Sequence, residues 1–235
     1  MAKDQINEKF VKSKTDLARI RAEKKQGIQT SLEIMGSGPL NRDGVPSLPP
    51  DQREVKNWPV LDLGVHPEIE LKDWKLEIKG LVQSPKIWTW EDLQKLPQVQ
   101  DQSDFHCVTG WSQLGIHWRG VRFSDLALAC GVSPEARFVL TTASDGYSTN
   151  LSLTEAMKED VLLVYEANGK PLPKEHGGPI RMITPQLWAW KGAKWISGIE
   201  FLAENHPGFW EVRGYSNTAI PWLNDRYTAD EQEED

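Results

Sequence analysis

Asp104-Phe105-His106-Cys107-Val108-Thr109-Gly110-Trp111-Ser112 is the stretch on which the reading of this chain turns. It sets one of only two cysteines beside a histidine, followed by a tryptophan and small or polar residues. A buried structural cysteine needs no such company. A soft-metal ligand does, because its thiolate must be kept deprotonated and oriented. Cys107 is therefore read as the single protein ligand of a metal cofactor. Neighbouring side chains on an extended segment point to opposite faces, so His106 is badly placed as a base for Cys107 and a cysteine-protease reading loses ground.

Working outward, 235 residues suffice for one large domain or two small ones. A hydrophobic share of 39% and a charged share of 26% mark a globular chain rather than a disordered one. The net charge of -7 argues against nucleic acid as a partner, since phosphate binding needs a basic face. The second cysteine, Cys130, sits at an apolar helix end and reads as core, so no disulfide framework is expected. No window is long and apolar enough to span a bilayer, and no apolar signal core follows the first basic residues. A cytoplasmic location is expected by default.

Local patterns give a chain of short strands and brief helices. Residues 1–30 are polar, with a weak helical stripe of Phe10, Val11, Leu17 and Ile20, and are read as a solvated helix or loose arm. Residues 36–59, rich in Gly, Pro, Asn and Asp, are read as an irregular wrap. The run 74–80 alternates apolar and polar residues and predicts a half-buried strand. Thr89 and Asp92 make a capping-box pattern for a helix reaching Leu96. A helix over 121–129 is expected, with Ser124 as N-cap and Gly131 as its stop, and another capped by Thr154. Strands are predicted over 138–142, 161–165, 179–183 and 195–201, with turns at Ser144-Asp145-Gly146-Tyr147 and Asn168-Gly169. The acidic end from Asp230 to Asp235 reads as a frayed tail. The fold class is α+β: mixed, β-rich, with short helices, and not doubly wound.

Two further stretches carry chemistry. In His176-Gly177-Gly178-Pro179-Ile180-Arg181 a His and an Arg bracket glycines that let backbone N–H groups approach an anion. In Lys191-Gly192-Ala193-Lys194-Trp195 two lysines flank a small pair, a shape that also suits phosphate. With the Cys107 motif, Trp118-Arg119-Gly120-Val121, Ser144-Asp145-Gly146-Tyr147-Ser148-Thr149 and Asn168-Gly169-Lys170-Pro171-Leu172, in this order, the chain resembles the molybdopterin-binding domain of the sulfite oxidase family over residues 58 to 202. The ending Pro207-Gly208-Phe209-Trp210-Glu211-Val212-Arg213-Gly214-Tyr215 is similar to small prokaryotic members.

The resemblance implies a mononuclear molybdenum–molybdopterin centre with Cys107 as metal ligand and catalytic residue. It implies that His176 and Arg181 hold the pterin and its phosphate, and that Lys191, Gly192, Ala193 and Lys194 contact the same group. Leu61 and Asp62 would touch the pterin from the N-terminal side. Ala143 and Ser144 would line the site, His106 would contribute beside Cys107, and Tyr147 could reach the substrate. The organisation expected is 1–57 arm and wrap, 58–215 cofactor domain, 216–235 C-terminal tail. Two departures stand out: Leu61 and Leu63 replace an Arg and a His of sulfite oxidases, and the family's immunoglobulin-like dimerisation domain and a haem segment are not seen. The expected activity is oxygen-atom transfer or two-electron redox on a small oxo-substrate, sulfite-, sulfoxide- or N-oxide-like, with a separate electron-transfer partner. A redox-silent pterin-binding domain and a metal-free thiol enzyme are the alternatives.

Overall fold

The structure, a computed structural model, describes residues 6–25 and 35–228, and side chains for 6–16 and 35–228. In chain order the elements are α1 (Glu8–Lys25), β1 (Ser37–Leu40), β2 (Pro46–Leu48), β3 (Arg53–Glu54), β4 (Lys75–Gly80), β5 (Lys86–Thr89), α2 (Trp90–Gln94), β6 (Gln98–Cys107) and β7 (Trp111–Arg122). They continue with α3 (Phe123–Cys130), β8 (Phe138–Ala143), β9 (Ser148–Ser152), α4 (Leu153–Ala156), β10 (Leu162–Ala167), β11 (Lys170–Pro171), β12 (Arg181–Ile183) and β13 (Ile196–Leu202). Two sheets dominate. One runs β11-β10-β7-β3, with β12 also on β10 and β6 also on β7; the other runs β5-β4-β13-β8-β9. Pairing is antiparallel except β3 with β7 and β4 with β13. This is the expected α+β, β-rich architecture.

The core explains the patterns. Leu76, Ile78, Val139, Ile199 and Phe201 from the five-stranded sheet meet Leu163, Met182 and the α3 residues Phe123 and Leu126. On β10, Leu162 and Val164 point the other way, into a second cluster with Ile116, Trp118 and Ile183. Both faces of β10 are covered, so its sequence reads as an unbroken apolar run rather than an alternation. Burying each such side chain is worth about 1.5–3 kcal/mol.

Several local expectations shift by physical cause. Thr89 and Asp92 do form a capping box, but α2 stops at Gln94. Helix α3 starts at Phe123, because Gly120 and Val121 are held in register with Val164 and Leu163. Its N-cap is Arg122, without a side-chain bond, and Ser124 lies inside the first turn. Gly131 ends it in the left-handed region as expected. Ser152, not Thr154, caps α4, accepting from the Glu155 N–H at 3.2 Å. The wrap contains a small hairpin, β1 on β2, where irregular chain was expected.

The ends pack more firmly than a loose arm and a tail from residue 216. Val11 is buried, and the Asn7 N–H donates to the Leu63 carbonyl at 2.6 Å. Trp222 donates its indole N–H to the Pro46 carbonyl at 2.6 Å, and Tyr215 bridges Tyr227. The acidic end, and Leu17 and Ile20 of the apolar stripe, lie outside the described side chains. Among the described residues no helix is long and apolar enough to cross a membrane.

Candidate functional site

A cavity of about 120 Å³ opens where the β6–β7 hairpin, the loop before β12 and the loop before β13 converge. Strand β6 ends at Cys107, and the turn back into β7 closes through Gly110, whose φ of 101° suits glycine. The turn presents the Cys107 Sγ to the cavity, 3.2 Å from the Thr109 hydroxyl. Burial pushes the thiol up, while the Thr109 bonds and the positive charges of Lys14 and Arg226 oppose the shift.

His106 faces the other way. Its Nδ1 lies 2.8 Å from the Ser112 hydroxyl, its ring meets Trp222 edge-on, and it does not line the cavity. The expectation that it touches a cofactor beside Cys107 is corrected: strand alternation sends it to the back of the hairpin. Burial lowers its pKa to about 4.

The cationic side of the cavity is built by two loops. Arg181 at the start of β12 is buried, and its guanidinium donates to the carbonyls of His176 at 3.1 Å, Gly192 at 3.2 Å and Met182 at 3.3 Å. Among the described residues it reaches no carboxylate, and burial lowers its pKa to about 10. A buried cation answered only by carbonyls is costly unless an anion joins it. Lys194 donates to the Glu175 carbonyl at 2.8 Å and to Asp62 at 3.3 Å; burial, then the charge of Arg181, lower its pKa to about 8. His176 stacks on Trp58 with centroids 3.9 Å apart. Burial, then Lys194 and Arg181, lower its pKa to about 4, so the imidazole is neutral at pH 7.

Glycines set this spacing. A Cβ on Gly177, whose φ is 99°, would stand 2.9 Å from the Lys194 Cβ and 3.0 Å from the Arg181 Cβ. A Cβ on Gly192 would meet the Met182 carbonyl at 2.5 Å.

Leu61, Asp62, Tyr147 and Gly192 also line the cavity. The Asp62 carboxyl sits below its ordinary range: burial raises it, but Lys194, the Gly64 N–H and His66 together outweigh that. Tyr147 donates its hydroxyl to the Trp190 carbonyl, and burial, then Glu211, hold its pKa well above 10. Lys191, Ala193, Ala143 and Ser144 are not on the wall. Lys191 is fully buried elsewhere, bonded to Glu211 at 2.7 Å and to Asn150, and it pins the loop that carries Gly192. Ala193 accepts from the Met182 N–H, the Ala143 N–H donates to the Tyr147 carbonyl, and the Ser144 N–H donates to the Trp195 carbonyl. These four act behind the wall because alternate residues of a loop or strand cannot all face one side.

Other wall residues escaped the sequence reading. Trp58 and Phe105 lie under the Arg181 guanidinium, at 5.8 and 5.1 Å from their ring centroids. Asp145 lines the cavity with its carboxyl raised by burial; its turn motif was legible, its direction was not. Phe10 and Lys14 of α1 reach it from the N-terminal arm, whose weak apolar stripe includes Phe10 but does not say where the arm docks.

The donor set suits one kind of occupant. Among the described residues no three His, Cys, Asp or Glu side chains gather for a metal. One sulfur, a buried arginine, a part-buried lysine, a neutral imidazole and aromatic walls fit an anionic heterocycle that brings most of a metal's ligands with it.

Comparison with known proteins gives the same direction. The family described as oxidoreductase molybdopterin binding domain matches residues 63–210. The chain is 45% identical over 184 residues to the uncharacterized oxidoreductase YuiH of Bacillus subtilis, covering 78% of this chain and 93% of that one. It is 30% identical over 155 residues to the protein-methionine-sulfoxide reductase catalytic subunit MsrP of Ralstonia nicotianae, covering 59% of this chain and 46% of that one. Among solved structures, the sulfane dehydrogenase SoxCD of Paracoccus pantotrophus aligns with a TM-score of 0.57 at 25% identity, over 62% of this chain and 42% of that chain.

Proposed function

The chain belongs to the oxidoreductase molybdopterin-binding domain family, and from that premise we propose that it is a molybdenum–molybdopterin-dependent oxidoreductase acting on a small oxo-substrate. The observation that carries the proposal is the meeting of Cys107 with the carboxylate-free Arg181 on one cavity wall. When bound, the molybdenum–pterin group supplies the oxygen-atom and two-electron chemistry.

The chain's own residues supply the rest. Cys107 offers the one protein sulfur, and a thiolate there tunes a soft metal's potential. Arg181 and Lys194 hold the phosphate, a role for which charge-assisted bonds are strong. His176 stays neutral and can accept a hydrogen bond from a heterocycle edge, with Trp58 fixing its ring plane. Tyr147 keeps its proton, held by the Trp190 carbonyl, and presents its ring to the cavity. Phe105, Trp111 and Trp190 exclude water from the sulfur's surroundings. Electrons are exchanged with a separate partner protein. Sulfite-, sulfoxide- and N-oxide-like substrates all suit such a site.

The test is elemental analysis of protein purified from a host that makes the cofactor. Molybdenum near one per chain, with oxidised-pterin fluorescence, is the expected result, and metal-free protein would sink the proposal. Oxygen-atom donors and acceptors are then screened on the loaded protein.

A further inference from the structure

The first helix brings to the site a charge that the core of the domain does not contain. Asn7 caps α1, its side chain accepting from the Phe10 N–H at 3.1 Å, while its own N–H holds the Leu63 carbonyl. Positions 7, 10, 11 and 14 share one helical face. Along that face Val11 is buried, Phe10 meets Trp210 edge-on at 6.3 Å, and Phe10 and Lys14 line the same cavity as Cys107. The outward face behaves differently: Lys12 pairs with Asp16 at 3.0 Å in the open.

The cations around the cavity are not equivalent. Arg181 is tied to three carbonyls, Lys194 to Asp62 and a carbonyl, and Arg226 to the carbonyls of Val108 and Pro50. Lys14 has no hydrogen-bond acceptor or carboxylate among the described residues; its ammonium lies 5.4 Å from the Phe10 ring centroid. Leu61 and Leu63, on the segment to which α1 docks, add no charge to this side.

We propose that Lys14 is a specificity-determining residue, placing a positive charge at the mouth beside Cys107 so that small anionic molecules reach the sulfur's surroundings in preference to neutral ones. The geometry supports this, since Lys14 and Cys107 line the same cavity. As a statement about substrate the inference rests on the reading above. As a statement about the cavity it stands without a metal, and the experiment uses that difference.

Cofactor-free protein is alkylated with iodoacetate, which is anionic, and with iodoacetamide, which is neutral, and modification of Cys107 is followed by peptide mass spectrometry. The ratio of the two rates cancels the reactivity of the thiol itself. Wild type should favour iodoacetate relative to Lys14→Gln by roughly threefold to tenfold at low salt, with the difference shrinking as salt screens it. Lys14→Arg should keep the wild-type ratio and Lys14→Glu should drop below Lys14→Gln. Equal ratios in all four proteins, with circular dichroism unchanged, overturn the proposal. Molybdenum content is measured separately: a metal-free wild type from a cofactor-making host defeats the proposed function and leaves the ratio to judge Lys14.

Discussion

At the scale of single residues, Cys107 and Arg181 separate binding from folding. Cys107→Ser should remove activity and lower molybdenum content while shifting the thermal midpoint by no more than a few degrees, because the Thr109 contact survives in the serine. Metal analysis beside a melting curve reads both effects. Arg181→Met should weaken cofactor retention by about tenfold to a hundredfold, the worth of a charge-assisted bond. It should also leave cofactor-free protein at least as stable as wild type, because a buried cation without an anion gives way to hydrocarbon. Two histidines set an acid limit. Both have folded pKa values of about 4, lowered by burial from 6.5. As pH falls through 6.5 the unfolded chain takes up protons that the folded chain refuses until about 4. Cofactor-free protein should therefore lose stability across that window, and His106→Gln or His176→Gln should each flatten the loss in urea titrations at stepped pH.

At the scale of elements, the loops matter more than the strands. Gly177→Ala adds a Cβ at a positive φ between Lys194 and Arg181, with a cost of about 1–3 kcal/mol. Because both cations must move, cofactor occupancy should fall further than stability, as molybdenum content against denaturation midpoint would reveal. Much of this level was legible in sequence. The alternation of 74–80, the Thr89–Asp92 box and the Asn168-Gly169 turn each rest on interactions within a few residues, and each is found. What was hidden depends on distant partners. Val121 was assigned to a helix by its apolar neighbours, yet its backbone is claimed by Leu163 across the sheet. The site shows the same division. Residue types singled out Cys107, His176, Arg181 and Lys194, which line the cavity, but the side on which Lys191, Ala193 and His106 fall is set by packing.

At the scale of the whole molecule, the two ends of the described chain converge on the cavity. Phe10 and Lys14 reach it from the front, while Trp222 and Arg226 brace the β6–β7 hairpin and the wrap from behind. Ending the chain after residue 215 should destabilise the protein by several kcal/mol, roughly the cost of losing a buried tryptophan and its bonded neighbours. The sequence reading missed this because residues 216–228 have no periodicity of their own; their order comes from partners such as Pro46 and Val108.

The Val108 carbonyl, next to the Cys107 sulfur, is held by an arginine 118 positions further along the chain. During synthesis that arginine is still inside the ribosome when the hairpin emerges. The turn that carries Cys107 is thus closed only once residue 226 has been made, so its geometry depends on a stretch far from it in the chain.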